Sequence, residues 1–149
     1  MTMLEKDPSM PWCSPMLIVK DVDASVKKYA AAFGFEPGGS MKDEDGRTNY
    51  ANMMYKGQTV LMMMPEQSWG SPAVTPNSSN TPTPVTLYIY VDNVDEQFEQ
   101  AKQAGITVLS QPEDMMWGDR VTQLQDDDGH VWSVATRIAE YETEQEVTA

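Results

Sequence analysis

Residues 84–109 read "PVTLYIYVDNVDEQFEQAKQAGITVL", and residues 14–35 read "SPMLIVKDVDASVKKYAAAFGF". Each begins with a short run rich in β-branched and aromatic residues, which reads as a strand. In residues 14–35, aspartates follow and offer a helix N-cap, and in both a helix comes next. In the first stretch Asp21 and Asp23 offer the capping oxygens and Val26, Tyr29, Ala30 and Phe33 form the apolar face. Gly34 takes the left-handed position that ends a helix. Val19-x-x-Val22-Asp23 recurs as Val91-x-x-Val94-Asp95, Phe98 takes the place of Val26, and Gly105 that of Gly34 within one residue. Further on, "DEDG" (43–46) recurs as "DDDG" (126–129). The chain therefore reads as a duplicated strand–helix–three-strand unit. Two copies are too few for a solenoid, but enough for two sheets that share one concave cavity.

This assigns an α+β chain: two tandem βαβββ modules forming a curved mixed sheet around a central cavity. The divisions are an N-terminal extension (1–13), module 1 (14–65), a linker loop (66–83), module 2 (84–137) and an acidic C-terminal tail (138–149). In module 1, the turn signals "DEDG" and "KG" separate the strands of an antiparallel meander within 41–65. "PGGS" (37–40) reads as a turn and lacks the spacing of a phosphate-binding loop. "EQSWGSPAVTPNSSNTPTP" (66–84) is dense in Pro, Ser, Thr and Asn and reads as a long, mobile connector.

Composition narrows the function classes. A chain of 149 residues with 40% hydrophobic content supports one domain or two half-domains. A formal net charge of −13 disfavours nucleic acid and anionic membranes as partners. No apolar run is long enough for a transmembrane helix, and the N-terminus lacks the layout of a secretory signal. The single cysteine, Cys13, excludes an intrachain disulfide. A cytoplasmic protein is expected.

The motifs "VKDVDASVKKYAAAFGFE" (19–36), "YVDNVDEQFEQAKQAGITV" (90–108) and "WGDRVTQLQDDDGHVWSVAT" (117–136) together resemble the vicinal oxygen chelate superfamily, which includes glyoxalase I, bleomycin-resistance proteins and extradiol dioxygenases. The resemblance runs over roughly residues 14–137. Asp127 departs from its pattern, where proline is usual; a turn still forms, because aspartate tolerates its early positions and glycine its last. The resemblance implies paired βαβββ modules around a pocket, and four positions that supply His, Glu or Gln to a metal in the metalloenzymes. Carried onto this chain they are Ser14, Met62, Thr86 and Ser133, none a customary ligand. The chain holds one imidazole and one thiol, whereas divalent catalytic sites usually draw three imidazole, thiolate or carboxylate ligands from protein. The expectation is no cofactor and no metal, although a weak surface calcium at 126–128 is conceivable. His130, after the turn glycine, faces away from Ser133 and reads as a turn or edge residue.

Strand alternation places Met16, Met62, Tyr88, Tyr90 and Ser133 on the cavity face, with Trp117 and Arg120 at its rim. Those seven are the expected ligand-binding residues. Gln123 and Gln125 could add hydrogen bonds. Tyrosine offers a flat face with a polar tip and methionine adapts to irregular shapes, so the partner expected is a small hydrophobic or aromatic molecule. The same residues could simply fill the core, and Trp117 and Arg120 could be structural, Arg120 pairing with Asp119 or Asp126. The reading is a metal-independent small-molecule-binding protein of the glyoxalase/bleomycin-resistance type, sequestering or carrying its ligand, in a homodimer as the resemblance implies. The alternative is a lyase, isomerase or dioxygenase of the same superfamily, for which Tyr88, Tyr90 and Glu113 are the general-base candidates. A structural or regulatory role for the acidic tail has only charge behind it.

Overall fold

The computed structural model describes residues 1–140; the last nine residues of the acidic tail lie outside the described residues. The chain divides into two compact units between Pro82 and Thr83. Each unit carries its own four-stranded mixed sheet and packed helix, so the expected curved mixed sheet is present as two separate ones.

Module 1 runs β1 (Met16–Val19), α1 (Val22–Phe33), β2 (Glu36–Lys42), β3 (Thr48–Tyr55) and β4 (Gln58–Pro65), with sheet order β1-β4-β3-β2. The Asp21 carboxylate accepts from Ala24 N–H at 2.9 Å and caps α1. Gly34, at φ 70°, closes the helix through its N–H to the Ala30 carbonyl. The buried stripe of α1 is Val22, Tyr29, Ala32 and Phe33, so Ala32 takes the place expected of Ala30. On β4, Leu61 and Met63 are fully buried, while Val60, Met62 and Met64 are half-buried on the opposite face. Leu17 and Val19 of β1 and Ala51 and Met53 of β3 join Leu61 and Met63 in the core. Burial of each such large apolar side chain contributes roughly 1.5–3 kcal/mol.

Two local expectations are corrected. Residues 37–40 are not a turn. They lie within the exposed edge strand β2, whose register against β3 shifts between Pro37 and Ser40. A Cβ at Gly38 would come within 2.6 Å of the Asn52 side chain, which would have to shift. The segment after β4 is also more ordered than a mobile connector. Thr75, fully buried, caps a short helix, α2 (Pro76–Ser79), and Glu66 accepts from Thr75 N–H and the Ser78 hydroxyl. Those bonds hold the Glu66 carboxyl below its ordinary range, the Ser78 hydroxyl first among them.

Module 2 repeats the path: β5 (Thr86–Tyr90), α3 (Val94–Gln103), β6 (Thr107–Asp114), β7 (Asp119–Gln125) and β8 (Val131–Arg137), order β5-β8-β7-β6. Asn93 caps α3 through Glu96 N–H. Val94, Phe98 and Ala101 form its buried face. Registers agree between modules: β1 pairs in parallel with β4 as Met16 with Met62, and β5 with β8 as Tyr88 with Ser133. Among the described residues no helix is long and apolar enough to cross a membrane.

Candidate functional site

The open face of the module 2 sheet, opposite α3, carries a cavity of about 430 Å³. That is within the range of small-molecule pockets, roughly 300–1,000 Å³. Thr86 and Tyr88 of β5, Ser133 of β8, and Val121 and Gln123 of β7 line it, together with Ser110 of β6 and the loop residues Met115 and Trp117. Strand parity explains this set: Tyr88 pairs with Ser133, which pairs with Gln123, so all three project from one face. The Gln123 amide donates to the Ser133 hydroxyl at 3.3 Å, fixing the buried floor.

At one end sits a carboxylate that sequence reasoning did not select. Asp119 is 3% exposed, and its Oδ2 accepts from both the Tyr88 hydroxyl at 2.6 Å and the Tyr90 hydroxyl at 2.8 Å. The Trp117 indole N–H donates to the Tyr88 oxygen at 3.1 Å. The two tyrosine rings lie 5.5 Å apart, tilted by 58°. Trp117 is presented by a tight turn, in which Gly118 at φ 93° donates to the Met115 carbonyl. The signal for Asp119 was available: it shares strand parity with Val121 and Gln123, and two cavity-facing phenols need an acceptor.

Both phenols are held protonated. Burial, then the bond to Asp119, pushes Tyr88 up to about 12. Although 45% of the residue is exposed, the charge would fall on the oxygen wedged between Asp119 and Trp117. Tyr90 is raised chiefly by its bond to Asp119. These tyrosines are donors to a carboxylate and poor bases near neutral pH.

The structure brings together Tyr88, Trp117 and Ser133, with Tyr90 joined to them through Asp119. It does not bring Arg120 to them. Because successive residues of a strand point to opposite faces, only one of Asp119 and Arg120 can face the cavity. Arg120 instead grips Asp95 of α3 through Nε and Nη2 and Asp114 of β6 through Nη1 at 2.8 Å. Those carboxylates, not Asp119 or Asp126, are its partners. Met16 and Met62 pair on the open face of the module 1 sheet, and each is described within that unit. Gln125 reaches the Gly129 carbonyl.

His130 lies in the turn after β7. Its N–H donates to Asp126 Oδ1, and its carbonyl accepts from Asp126 N–H, both at 3.0 Å. The same buried carboxylate accepts from Asp128 N–H and from the Trp132 indole. The aspartate run is thus a turn whose first residue anchors the following strand.

The four positions that the resemblance assigns to a metal are Ser14, Met62, Thr86 and Ser133 in this chain. The register makes Met62 the counterpart of Ser133. Neutral hydroxyls and a thioether do not suit a divalent catalytic ion. Among the described residues no group of three or more His, Cys, Asp or Glu side chains is gathered that could hold a metal.

With that geometry in hand, comparison with known proteins is informative. The sequence model of the Glyoxalase/Bleomycin resistance protein/Dioxygenase superfamily matches residues 11–134. An uncharacterized protein of Mycobacterium bovis is 36% identical over 132 residues, covering 87% of this chain and 86% of that protein. Among solved structures, TioX from Micromonospora sp. ML1 superposes with a TM-score of 0.65 at 21% identity, covering 85% of this chain and 99% of that one. The fosfomycin resistance protein FosX from Listeria monocytogenes, complexed with Mn(II) and sulfate, superposes at 0.62 with 16% identity, covering 91% and 92%. At these identities the structural likeness establishes a shared fold.

Proposed function

The chain belongs to the Glyoxalase/Bleomycin resistance protein/Dioxygenase superfamily, and within it we propose a metal-independent small-molecule-binding member that sequesters or carries an apolar or aromatic ligand. The observation that supports this most is the module 2 cavity, with hydroxyls at Thr86 and Ser133 and aromatic rings at Tyr88 and Trp117. Trp117 and Tyr88 would stack on the ligand, Met115 and Val121 would bury its apolar edge, and Gln123 would orient it. Arg120 has no part in this proposal, since its guanidinium is committed to Asp95 and Asp114. The alternative of a lyase, isomerase or dioxygenase draws no support from Tyr88 or Tyr90, whose protons are held by Asp119.

The test uses the full chain, with 2-naphthalenemethanol as a neutral planar probe. Binding is read from the Trp117 indole N–H resonance, identified by its loss in Trp117→Phe. The expected result is a saturable shift of that resonance that is unchanged by a metal chelator. One tightly held divalent ion per purified chain, or probe binding abolished by the chelator, would overturn metal independence.

A further inference from the structure

We propose that the module 2 cavity selects organic cations: planar ligands bearing a protonated amine, seated with the amine at the Tyr88–Tyr90–Trp117 end. This rests on the cavity being a ligand site and names the class of ligand it takes.

Asp119 is almost completely buried, and its recorded side-chain partners are two phenols. Among the described residues no ion pair includes it. Among the described residues that line the cavity there is no lysine, arginine or histidine. The two arginines nearest in the fold are committed elsewhere. Arg120 follows Asp119 in sequence but points to the other face, where it holds Asp95 and Asp114. Arg137 pairs with Asp119 across β7 and β8 and acts electrostatically on Tyr90, but its side chain is 61% exposed and bound to Glu140. Water screens that charge far more than it screens the buried carboxylate.

The phenols turn this charge outward. Each donates its proton to Asp119, so each oxygen is left with lone pairs and added electron density for another donor. Tyr88 already accepts from the Trp117 indole, which shows that such a donor fits. Tyr90 is 56% exposed, and its hydroxyl donates to Asp119 and interacts with the neighbouring Tyr88 hydroxyl. Two tilted tyrosine rings and an indole form the surrounding walls, and an ammonium is attracted to the faces of such rings. An anion would meet the buried Asp119 charge, while the nearest basic group on that face, Arg137, is already paired with Glu140. The net charge of −13 also raises the local concentration of cations.

The test compares three probes of matched shape at neutral pH: 2-naphthylmethylammonium, 2-naphthalenemethanol and 2-naphthoate. The expected result is that the ammonium binds about tenfold tighter than the alcohol, with 2-naphthoate weakest. Asp119→Asn should bring ammonium and alcohol to within about twofold of each other. Should that variant not fold, the wild-type chain still decides. Intermolecular nuclear Overhauser contacts should join the probe's methylene protons to the Tyr88 and Tyr90 rings. Equal affinity of ammonium and alcohol overturns the cation preference and leaves the cavity reading standing. So does an unchanged ratio in a folded Asp119→Asn, or a bound pose with the amine directed away from the tyrosines. No shift of the Trp117 resonance with any of the three overturns both.

Discussion

Modules 1 and 2 follow one path through space and present different chemistry on it. Their strand orders match, and Met16–Met62 in the first occupies the register position of Tyr88–Ser133 in the second. Yet the open face of the first sheet is mostly thioether and hydrocarbon, with Met16, Ile18, Val60, Met62 and Met64 side by side and Asn52 paired with Met62. The second carries two phenols, a buried carboxylate, a serine and an amide joined by hydrogen bonds. The helix-facing layers are alike: Leu61 and Met63 on β4 are as buried as Trp132 and Val134 on β8. The difference teaches that the fold is maintained by the face packed on the helix, which leaves the other face free to diverge.

The largest expected contrast lies in the paired turns. Asp126 accepts from Asp128 N–H, His130 N–H and the Trp132 indole, and it is buried. Its module 1 counterpart, Asp43, accepts only from Asp45 and Arg47 N–H in an exposed setting. Asp126→Ala should lower stability by roughly 2–4 kcal/mol, because it leaves a buried indole N–H without an acceptor, and Asp43→Ala by about 1 kcal/mol. Urea denaturation of the two variants measures both. Equal losses would show that the second turn is no more an anchor than the first.

The next contrast exchanges the equivalent positions. Ser133→Met inserts bulk into the floor of the module 2 cavity, and overpacking should cost about 1–3 kcal/mol. It should also abolish binding of 2-naphthalenemethanol. Met62→Ser should leave that binding unchanged. Titration of both variants followed at the Trp117 resonance checks this, and comparable weakening by the two would break the division of roles between the modules.

The smallest effect is a titration. Tyr88 should ionise near pH 12, above the ordinary tyrosine value of 10.0, as followed by phenolate absorbance with Tyr88→Phe as control. Folding favours the protonated phenol. The resulting stabilisation is therefore complete below the ordinary tyrosine value of 10.0 and is lost as pH rises toward about 12. With 45% of Tyr88 exposed, solvent keeps this contribution small.

Much of this architecture is legible in the chain. Asp21 and Gly34 mark the ends of α1, and period-two alternation assigns Leu61 and Met63 to the core and Met62 to the open face. The illegible parts share a cause: each depends on a partner distant in sequence. Gly38 and Gly39 resemble a turn until Asn52 is seen packed against the strand. The Pro- and Ser-rich segment resembles a free connector until Glu66 is seen holding Thr75 and Ser78. Arg120 resembles a rim cation until Asp95, 25 residues away, is found at its guanidinium.

Local sequence alone determined the duplicated units, their superfamily resemblance, and the hydroxyl and thioether side chains at the four positions that the resemblance assigns to a metal. These follow from periodicity, capping and residue identity, which act over a few neighbours and survive any context. Only the tertiary structure decided which residue of the Trp-Gly-Asp-Arg loop faces the cavity. It placed Asp119 beneath Tyr88, 31 residues away, and turned Arg120 to the helix. Strand pairing makes that choice, because the register of β7 against β8 sets the face of every side chain at once.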